Sequence, residues 1–516
     1  MEKQVASKPL IPLVWHIATP GIISTIIGAL YSSIDSLYIG RYSGNSLAAI
    51  GVAFPAEQLI IWNVGVILNF GCGTLISRAL GKKNISEAEK YLGSVIFSWI
   101  VISILVPLLV IPFALPIVRA FGADTTIEDE AASYLKIIAV GTYAYTMTAS
   151  GNNLPRSEGS ALCAMVISIV SAILNIIIDP ILIFGFDMGL KGAAYSTVIA
   201  QTIPGIYLMY WLISKSSVRL TLSNLLKPNI AKILEIILLG LGPCVIMASN
   251  ALTGLIVNAV VCPLAKNGID DPVEAEKAMN MYIAMFSVAI KMCGITIFTT
   301  VGYMQGFLTL QGYVNGAKEY HKAYIMKRFS QILCGSITLV SSLFVIGFSR
   351  SVMTAFVHRD DPDIDVDQFI ETGSSILRIV CSFLTLYSLS LICATDFQSD
   401  GQLIPAALFA MGKYVILYTM LCVFAWGVDG VTIDFMWWMF PLSDIVSFIG
   451  VAITSEIRDC NVLSRMKKSH QTFKDIEVFG SSCCARLTDV EEEIVLSESC
   501  PMEIIQERSR NSTPRV

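Results

Sequence analysis

Apolar stretches of about twenty residues recur along most of this chain, and each is long enough to cross a bilayer as a helix. They number twelve, at about 11–40, 47–78, 91–118, 132–154, 160–185, 192–214, 231–261, 279–306, 325–349, 370–395, 402–426 and 431–457. Lipid offers no partner to an open backbone N–H or C=O, so such spans must be helices. The composition agrees: the 516 residues are 54% hydrophobic and 15% charged, where soluble domains average roughly 25% charged. The expected fold is therefore an all-α polytopic membrane protein with twelve transmembrane helices. Thirteen cysteines are scattered, mostly within the spans, without CxxC or zinc spacing, and read as small buried hydrophobes. A net charge of −5 gives no footing for a nucleic-acid partner. The polar start, Met1 to Pro12, leads straight into the first span, so no cleavable signal peptide is expected.

An even number of spans puts both termini on one side. Loops on the N-terminal side hold fifteen Lys and Arg residues, among them Lys82, Lys83, Lys215, Arg219 and Lys318; the opposite loops hold eight, among them Arg41, Lys191 and Arg350. The richer side is expected to be cytoplasmic. The first half of the chain also repeats in the second. Gly71-x-x-Thr74-Leu75, Gly81-x-Lys83 and Ala88 recur as Gly306-x-x-Thr309-Leu310, Gly316-x-Lys318 and Ala323 at constant spacing. Arg156-Ser-Glu-Gly159 is echoed by Gln398-Ser-Asp-Gly401, and Pro20 by Pro243. Both copies start on the same side, which makes two six-helix lobes related by a pseudo-two-fold axis along the membrane normal. The expected division is 1–214 for the N-terminal lobe, 215–230 for a cytoplasmic linker, 231–457 for the C-terminal lobe and 458–516 for a charged, Ser-rich cytoplasmic tail. The outer loops 262–278 and 350–369 are long and acidic.

Two carboxylates sit inside apolar spans. Asp179 lies in Leu-Asn-Ile-Ile-Ile-Asp-Pro-Ile-Leu-Ile-Phe, four residues after Asn175 and on the same helical face. Asp35 lies in Ala-Leu-Tyr-Ser-Ser-Ile-Asp-Ser-Leu-Tyr-Ile-Gly. A lipid-spanning acid costs several kcal/mol and usually faces a cavity or an ion path. Asp35 precedes Gly40 by five residues and Asp179 precedes Gly185 by six. Both are thus roughly 8–9 Å below the outer helix end, at about 1.5 Å per residue. Two acids at one depth of one lobe favour holding a shared cation; the rival reading makes them interfacial caps. The second lobe lacks the pair: Asn258 falls at the Asp35 position, and 415–426, which matches the Asp179 stretch, has no acid. It carries Lys291 and Arg378 instead, so the first cavity is expected to be negative and the second neutral or positive. Lys291 is too deep to snorkel, and reads as a cavity residue or half of an ion pair. Glu57 reads as a third acid of the first cavity or as internally paired. His16 reads as a satisfied helix residue.

Other patterns are weak. Asp363-x-Asp365-x-Asp367 lacks the glycine and closing glutamate of a calcium loop. The sequons at Asn84 and Asn511 fall on the expected cytoplasmic side. Cys483-Cys484 reads as exposed thiols, with palmitoylation the alternative. No Walker A, HExxH or GxSxG pattern occurs, so no enzyme is expected.

Taken together, these residues resemble the multidrug and toxic compound extrusion (MATE) family over about 10–457. The resemblance is carried by Pro20, Tyr31-x-x-x-Asp35-x-x-x-x-Gly40, Phe54-Pro55, Ser77-Arg78-Ala79-Leu80-Gly81 and Asn175-x-x-x-Asp179-Pro180. Gly189-x-x-Gly192-Ala193-Ala194 continues it, and Gln305-Gly306 with Asn315-Gly316-Ala317-Lys318 is the second-half counterpart. The resemblance implies secondary-active efflux of amphiphilic, often cationic compounds, driven by inward H+ or Na+. It implies a coupling-ion site at Tyr31, Asp35, Asn175, Asp179 and Thr197, and a bend of the first helix at Pro20. Departures are Pro155, Glu57, the long loop 262–278 and the tail beyond 457. The expected function is a cation-coupled antiporter working by alternating access: a monomer in the plasma membrane, with small-molecule substrates, no nucleic-acid partner and no cofactor beyond the ion. The alternatives are a flippase of lipid-linked saccharides from the same superfamily, which would need a basic cavity, and a channel, which the lobe repeat disfavours.

Overall fold

The computed structural model describes residues 10–123, 125–266, 272–356, 366–427 and 433–468. Apart from the turns and short loops that join them, the described residues are helical, without a strand. Met1–Val462 is one compact unit and Leu463–Val516 a second; of the second, only the helical residues up to 468 are described.

Twelve long helical segments follow one another. The first lobe holds α1 (Leu10–Tyr42), α2 (Gly44–Glu57, a π turn Gln58–Trp62, then Asn63–Gly81), α3 (Ile85–Ala120), α4 (Glu128–Val140), α5 (Ala161–Pro180, closing in a π turn Ile181–Gly185) and α6 (Gly189–Ser214). The second holds α7 (Ile230–Lys266), α8 (Pro272–Gly316), α9 (Tyr320–Gly347), α10 (Val366–Cys381 and Leu384–Ser399), α11 (Leu403–Gly427) and α12 (Met439–Lys468). Among the described residues, ten helices are long and apolar enough to cross a membrane; α11 contributes a shorter apolar stretch, Met411–Val423. The chain is a multi-pass integral membrane protein. At about 1.5 Å per residue, the 45 residues of α8 exceed a hydrocarbon core of roughly 30 Å, so its ends stand in water.

Three boundaries differ from those read in the sequence. The fourth span is broken: after α4 come Thr142–Tyr145, a π turn Thr146–Ser150 and Asn153–Ser157, with Gly141 and Gly151 at the breaks. Side chains of Val198 and Leu208 crowd these two glycines and leave no room for a Cβ. The linker holds a short helix, Leu222–Leu226, whose Asn224 packs on Gly93 of α3. The C-terminal lobe does not end at 457, because α12 runs on to Lys468 and buries Arg458 and Asp459.

The packing pattern repeats with the sequence. In each lobe the first helix packs on the fifth and the third on the fourth, as α1 on α5, α7 on α11, α3 on α4 and α9 on α10. Between lobes, α1 packs on α8 and α7 packs on α2, the reciprocal contact that a two-fold requires. The repeated glycines lie on this seam. A Cβ at Gly71 would overlap the Ile236 carbonyl, one at Gly306 would meet Ala18 Cα at 2.7 Å, and those at Gly81 and Gly316 would strike the backbone of Tyr313 and Arg78. Only residues without a Cβ let backbones approach so closely. The seam is tight where α2 and α8 end, on the face where α1 begins. There 68–77 and 306–314 are buried without interruption. The opposite half of α1 alternates between half-buried and exposed positions. The lobes therefore meet on the first face and part towards the other.

Candidate functional site

The first lobe holds the predicted cluster. On α5, Ile173, Ile177 and Ile181 are exposed while Asn175 and Asp179 are buried, so the four-residue spacing turns the polar face inward and the isoleucines to lipid. Asp179 Oδ1 accepts from Asn175 Nδ2 at 3.2 Å and from the Ser196 hydroxyl. Asn175 Nδ2 also reaches Ser196 Oγ at 3.3 Å and Thr197 Oγ1 at 3.5 Å. Asn175, Asp179 and Thr197 thus come together as the sequence predicts, with Ser196 added. Ser196 was missed because one hydroxyl in a small-residue stretch carries no signal by itself.

Asp35 and Tyr31 approach the cluster from α1. Asp35 lies within electrostatic range of Asp179 and Glu57, and Tyr31 within range of all three acids. Neither makes a hydrogen bond to Asp179 among the described residues. Asp35 Oδ1, Asn175 Oδ1 and Asp179 Oδ2 are buried without a hydrogen-bond partner. Burying such atoms unpaired costs free energy; two carboxylate oxygens and an amide oxygen in one lobe are a donor set for a proton or a hard cation. No ion pair among the described residues involves Asp35, Glu57 or Asp179.

Glu57 is buried at 3% exposure. It is paired internally, but by neutral donors: Oε1 accepts from Trp62 Nε1 at 2.8 Å and Oε2 from the Tyr134 hydroxyl at 3.0 Å. A narrow cavity of about 10 Å³ lies between Glu57, Trp62, Ile138, Tyr145, Thr197 and Gln201, so the acid and Thr197 of the ion cluster border one space.

Pro20 sits buried inside α1, which runs through it unbroken. Ser24 Oγ donates to the Pro20 carbonyl at 2.7 Å. Gly21 beside it presses on the Gly302 carbonyl of α8, so the proline adjoins the seam.

The second lobe departs from expectation. Lys291 is exposed on α8 and joins none of the ion pairs among the described residues, which removes the ion-pair reading of it. Arg378 is exposed and donates to Ser349 Oγ at 2.8 Å. The buried charges are others. Lys413 of α11 meets Asp444 Oδ1 of α12 at 2.8 Å and lies 3.9 Å over the Tyr387 ring. Nearer the first face, Lys327 pairs with Asp459, and Arg458 with Asp396 at 2.5 Å. These pairs join residues more than thirty positions apart, beyond the reach of any local pattern. Asn84, the first sequon, caps α3 by accepting from the Glu87 N–H at 3.1 Å. The Asn258 side chain lies outside the described residues. The acidic repeat at 363–365, Cys483-Cys484 and Asn511 also lie outside the described residues.

Comparison with known proteins places this geometry. The MatE family model matches residues 20–181, which include Asp35, Glu57, Asn175 and Asp179. The multidrug export protein MepA of Staphylococcus aureus (strain bovine RF122 / ET3-1) is 24% identical over 460 residues, covering 87% of this chain and 95% of that protein. The chain is similar to the MATE family along most of its length. MepA of Staphylococcus saprophyticus is 22% identical over 446 residues, covering 86% and 93%. Among solved structures, an outward-facing MATE multidrug resistance transporter superposes with a TM-score of 0.79 at 21% identity, covering 89% of this chain and 98% of that one. A MOP superfamily transporter from Pyrococcus furiosus, in which a reversed polarity of the binding pocket suggests a different function, gives 0.80 at 20% identity with the same coverage. MATE proteins are transporters rather than enzymes, and this chain shares their twelve-helix fold.

Proposed function

We propose that this MATE protein is a cation-coupled antiporter that exports amphiphilic or cationic small molecules by alternating access, in exchange for H+ or Na+. The observation that carries the reading is the set of buried, unpartnered oxygens on Asp35, Asn175 and Asp179, in a lobe where, among the described residues, none of these acids meets a lysine or arginine. A buried carboxylate without a counter-cation is strongly disfavoured, so the site draws a cation and yields it when the cargo arrives. Thr197 and Tyr31 border the same site. The seam, tight at the face where α1 begins, is the gate that must open for the opposite half of the cycle. The Lys/Arg bias favours the cytoplasm for that face, and we place both termini inside and the protein in the plasma membrane. A saccharide-lipid flippase would need a basic cavity, and the acids of the first lobe oppose it.

Purified protein in liposomes tests this. Cargo uptake should follow an imposed ΔpH or Na+ gradient, and separate gradients identify the ion. Asp35→Asn and Asp179→Asn should each abolish gradient-driven flux while leaving insertion intact, since an amide costs less to bury than a charge. Their effects should not add, because acids sharing one ion titrate together. Flux indifferent to both gradients, or wild-type coupling in Asp179→Asn at matched abundance, would overturn the reading.

A further inference from the structure

The two halves of α10 part at Ser382 and Phe383, between Val366–Cys381 and Leu384–Ser399. Cys381, the last residue of the first half, is fully buried, and its Sγ lies 3.2 Å from Sγ of Cys293 on α8. Cys293 is buried at 4% exposure, and both are free thiols. Among the nine described cysteines this is the one thiol–thiol contact. The two residues are 88 positions apart and each stands near the middle of its helix, so the contact belongs to the core of the second lobe. At the break the α10 ladder tightens to i→i−3 bonds. Ser382 N–H donates to the Ile379 carbonyl at 3.2 Å, and Leu386 N–H to that of Phe383 at 2.9 Å. Such a stretch inside a helix marks a hinge. On α8, Gly302 and Gly306 lie against the α1 backbone across the seam. The thiol pair therefore joins the hinge of α10 to the helix that carries the seam.

A disulfide holds its sulfurs about 2 Å apart, so this pair must close by roughly 1 Å. A dry apolar core keeps out charged and bulky oxidants, which leaves a small neutral hydroperoxide as the reagent. With hydrogen peroxide, the sulfur of Cys293, the less enclosed of the two, attacks one peroxide oxygen. The O–O bond breaks, and the departing hydroxide takes the thiol proton and leaves as water. The Cys381 sulfur then attacks the resulting sulfenic acid. The S–S bond forms, the S–O bond breaks, and a second water leaves with the second thiol proton. Two electrons pass from the sulfurs to the peroxide, and a dithiol reductant returns them by exchange.

We propose that Cys293 and Cys381 form a reversible oxidation site, at which a hydroperoxide makes a disulfide that ties the hinge of α10 to the seam helix and slows transport. The proposal needs transport but no particular coupling ion. The full-length protein in nanodiscs, reduced beforehand, is exposed to hydrogen peroxide, alkylated, digested and weighed. The Cys293–Cys381 cross-linked peptide should appear. In the oxidised protein, amide exchange over 382–387 should slow about tenfold, and ethidium flux into liposomes should fall about tenfold. Dithiothreitol should restore both to within about twofold, which sets the effect apart from methionine oxidation, since that needs its own reductases. Cys293→Ala and Cys381→Ala should match the reduced wild type and resist peroxide. If both variants fail to fold, the peptide map and the dithiothreitol reversal of the wild type still decide. The proposal falls if peroxide oxidises the exposed Cys460 and no cross-linked peptide forms. It falls if cross-linked protein keeps the exchange or the flux of the reduced protein, or if peroxide slows Cys293→Ala as much as the wild type. Reduced protein that carries no ethidium would count against the antiport reading, and the mass and exchange measurements would still decide this one.

Discussion

Gly71→Ala tests whether the seam between the lobes is the moving part. The added Cβ would overlap the Ile236 carbonyl oxygen and lie 2.9 Å from its carbonyl carbon and 3.1 Å from its Cγ2. Carbon atoms in contact normally stand about 3.5–4.0 Å apart, so α2 and α7 must separate by roughly 1 Å. The obstructing atoms are backbone and cannot swing aside. Overpacking of this kind costs about 1–3 kcal/mol, and it falls on the arrangement in which the seam is shut. Once the lobes part on that face the methyl is free, so the equilibrium should move about 5- to 150-fold towards the parted state. Gly306→Ala should act alike from the other lobe, with Ala18 Cα at 2.7 Å. Gly51→Ala and Gly450→Ala, where nothing lies within 4 Å, are the neutral controls. Spin labels on the exposed positions Ile85 and Ile404, one per lobe, would report the change as a longer distance population, with the exposed Cys422 and Cys460 and the tail cysteines Cys483, Cys484 and Cys500 replaced by Ser. A distance distribution identical to wild type in Gly71→Ala, with transport at the wild-type rate, would refute the reasoning.

Three other substitutions follow from the same coordinates. Ser196→Ala removes a donor from Asp179 and should lower gradient-driven flux about tenfold at unchanged insertion, in keeping with a bond to a charged group of roughly 1.5–3 kcal/mol; flux in liposomes checks it. Lys413→Met leaves Asp444 buried and alone, and should lose about 3–5 kcal/mol of stability, while Lys413→Met with Asp444→Leu should recover most of it; thermal melts of the two variants decide. Truncation after Lys468 should leave liposome transport near wild type. Truncation after Ile457 removes Arg458 and Asp459, strands Lys327 and Asp396, and should give protein that fails to insert stably, read by size-exclusion profile.

The span count, the repeat and the inward-facing polar cluster of the first lobe were legible because each leaves a local or periodic trace. Twenty-residue apolar runs need no tertiary context. The spacing of Asn175 and Asp179 turns both inward on one helix. The repeated glycines announced themselves as a motif, and the structure gives the reason: Gly71 and Gly306 are equivalent points of one reciprocal contact. The break in the fourth span was hidden because the run from 132 to 154 stays apolar through Gly141 and Gly151, and the crowding side chains come from α6. The end of the second lobe was misplaced because Arg458 and Asp459 look solvated in sequence, and only Lys327 and Asp396, from other helices, make them core. For the same reason Lys413 and Asp444 escaped notice while Lys291, more conspicuous by its depth, drew it.

The two lobes share a backbone plan and differ in how their charges are settled, and that difference bears on the cycle. In the second lobe the buried acids Asp396, Asp444 and Asp459 each meet a lysine or arginine within the lobe. Breaking such pairs is expensive, so α9 to α12 should move as a body. In the first lobe Glu57 and Asp179 accept from hydroxyl, indole and amide donors, no ion pair among the described residues reaches them or Asp35, and a buried negative region of this kind changes its energy with every cation it gains or loses. On the proposed coupling, cation occupancy would act on α1, α2 and α5, the helices that also touch or adjoin the seam. At the shut face stands a charge of the opposite sign. Arg156 is fully buried, bonded to Asn153 and, across the seam, to Gln305 of α8, with Nε and Nη2 unpartnered. A guanidinium held that way costs several kcal/mol, and water relieves the cost only when the lobes part there. The shut seam thus gains from close glycine packing and loses from the isolated arginine, which sets two arrangements near enough in energy for a single bound cation to decide between them.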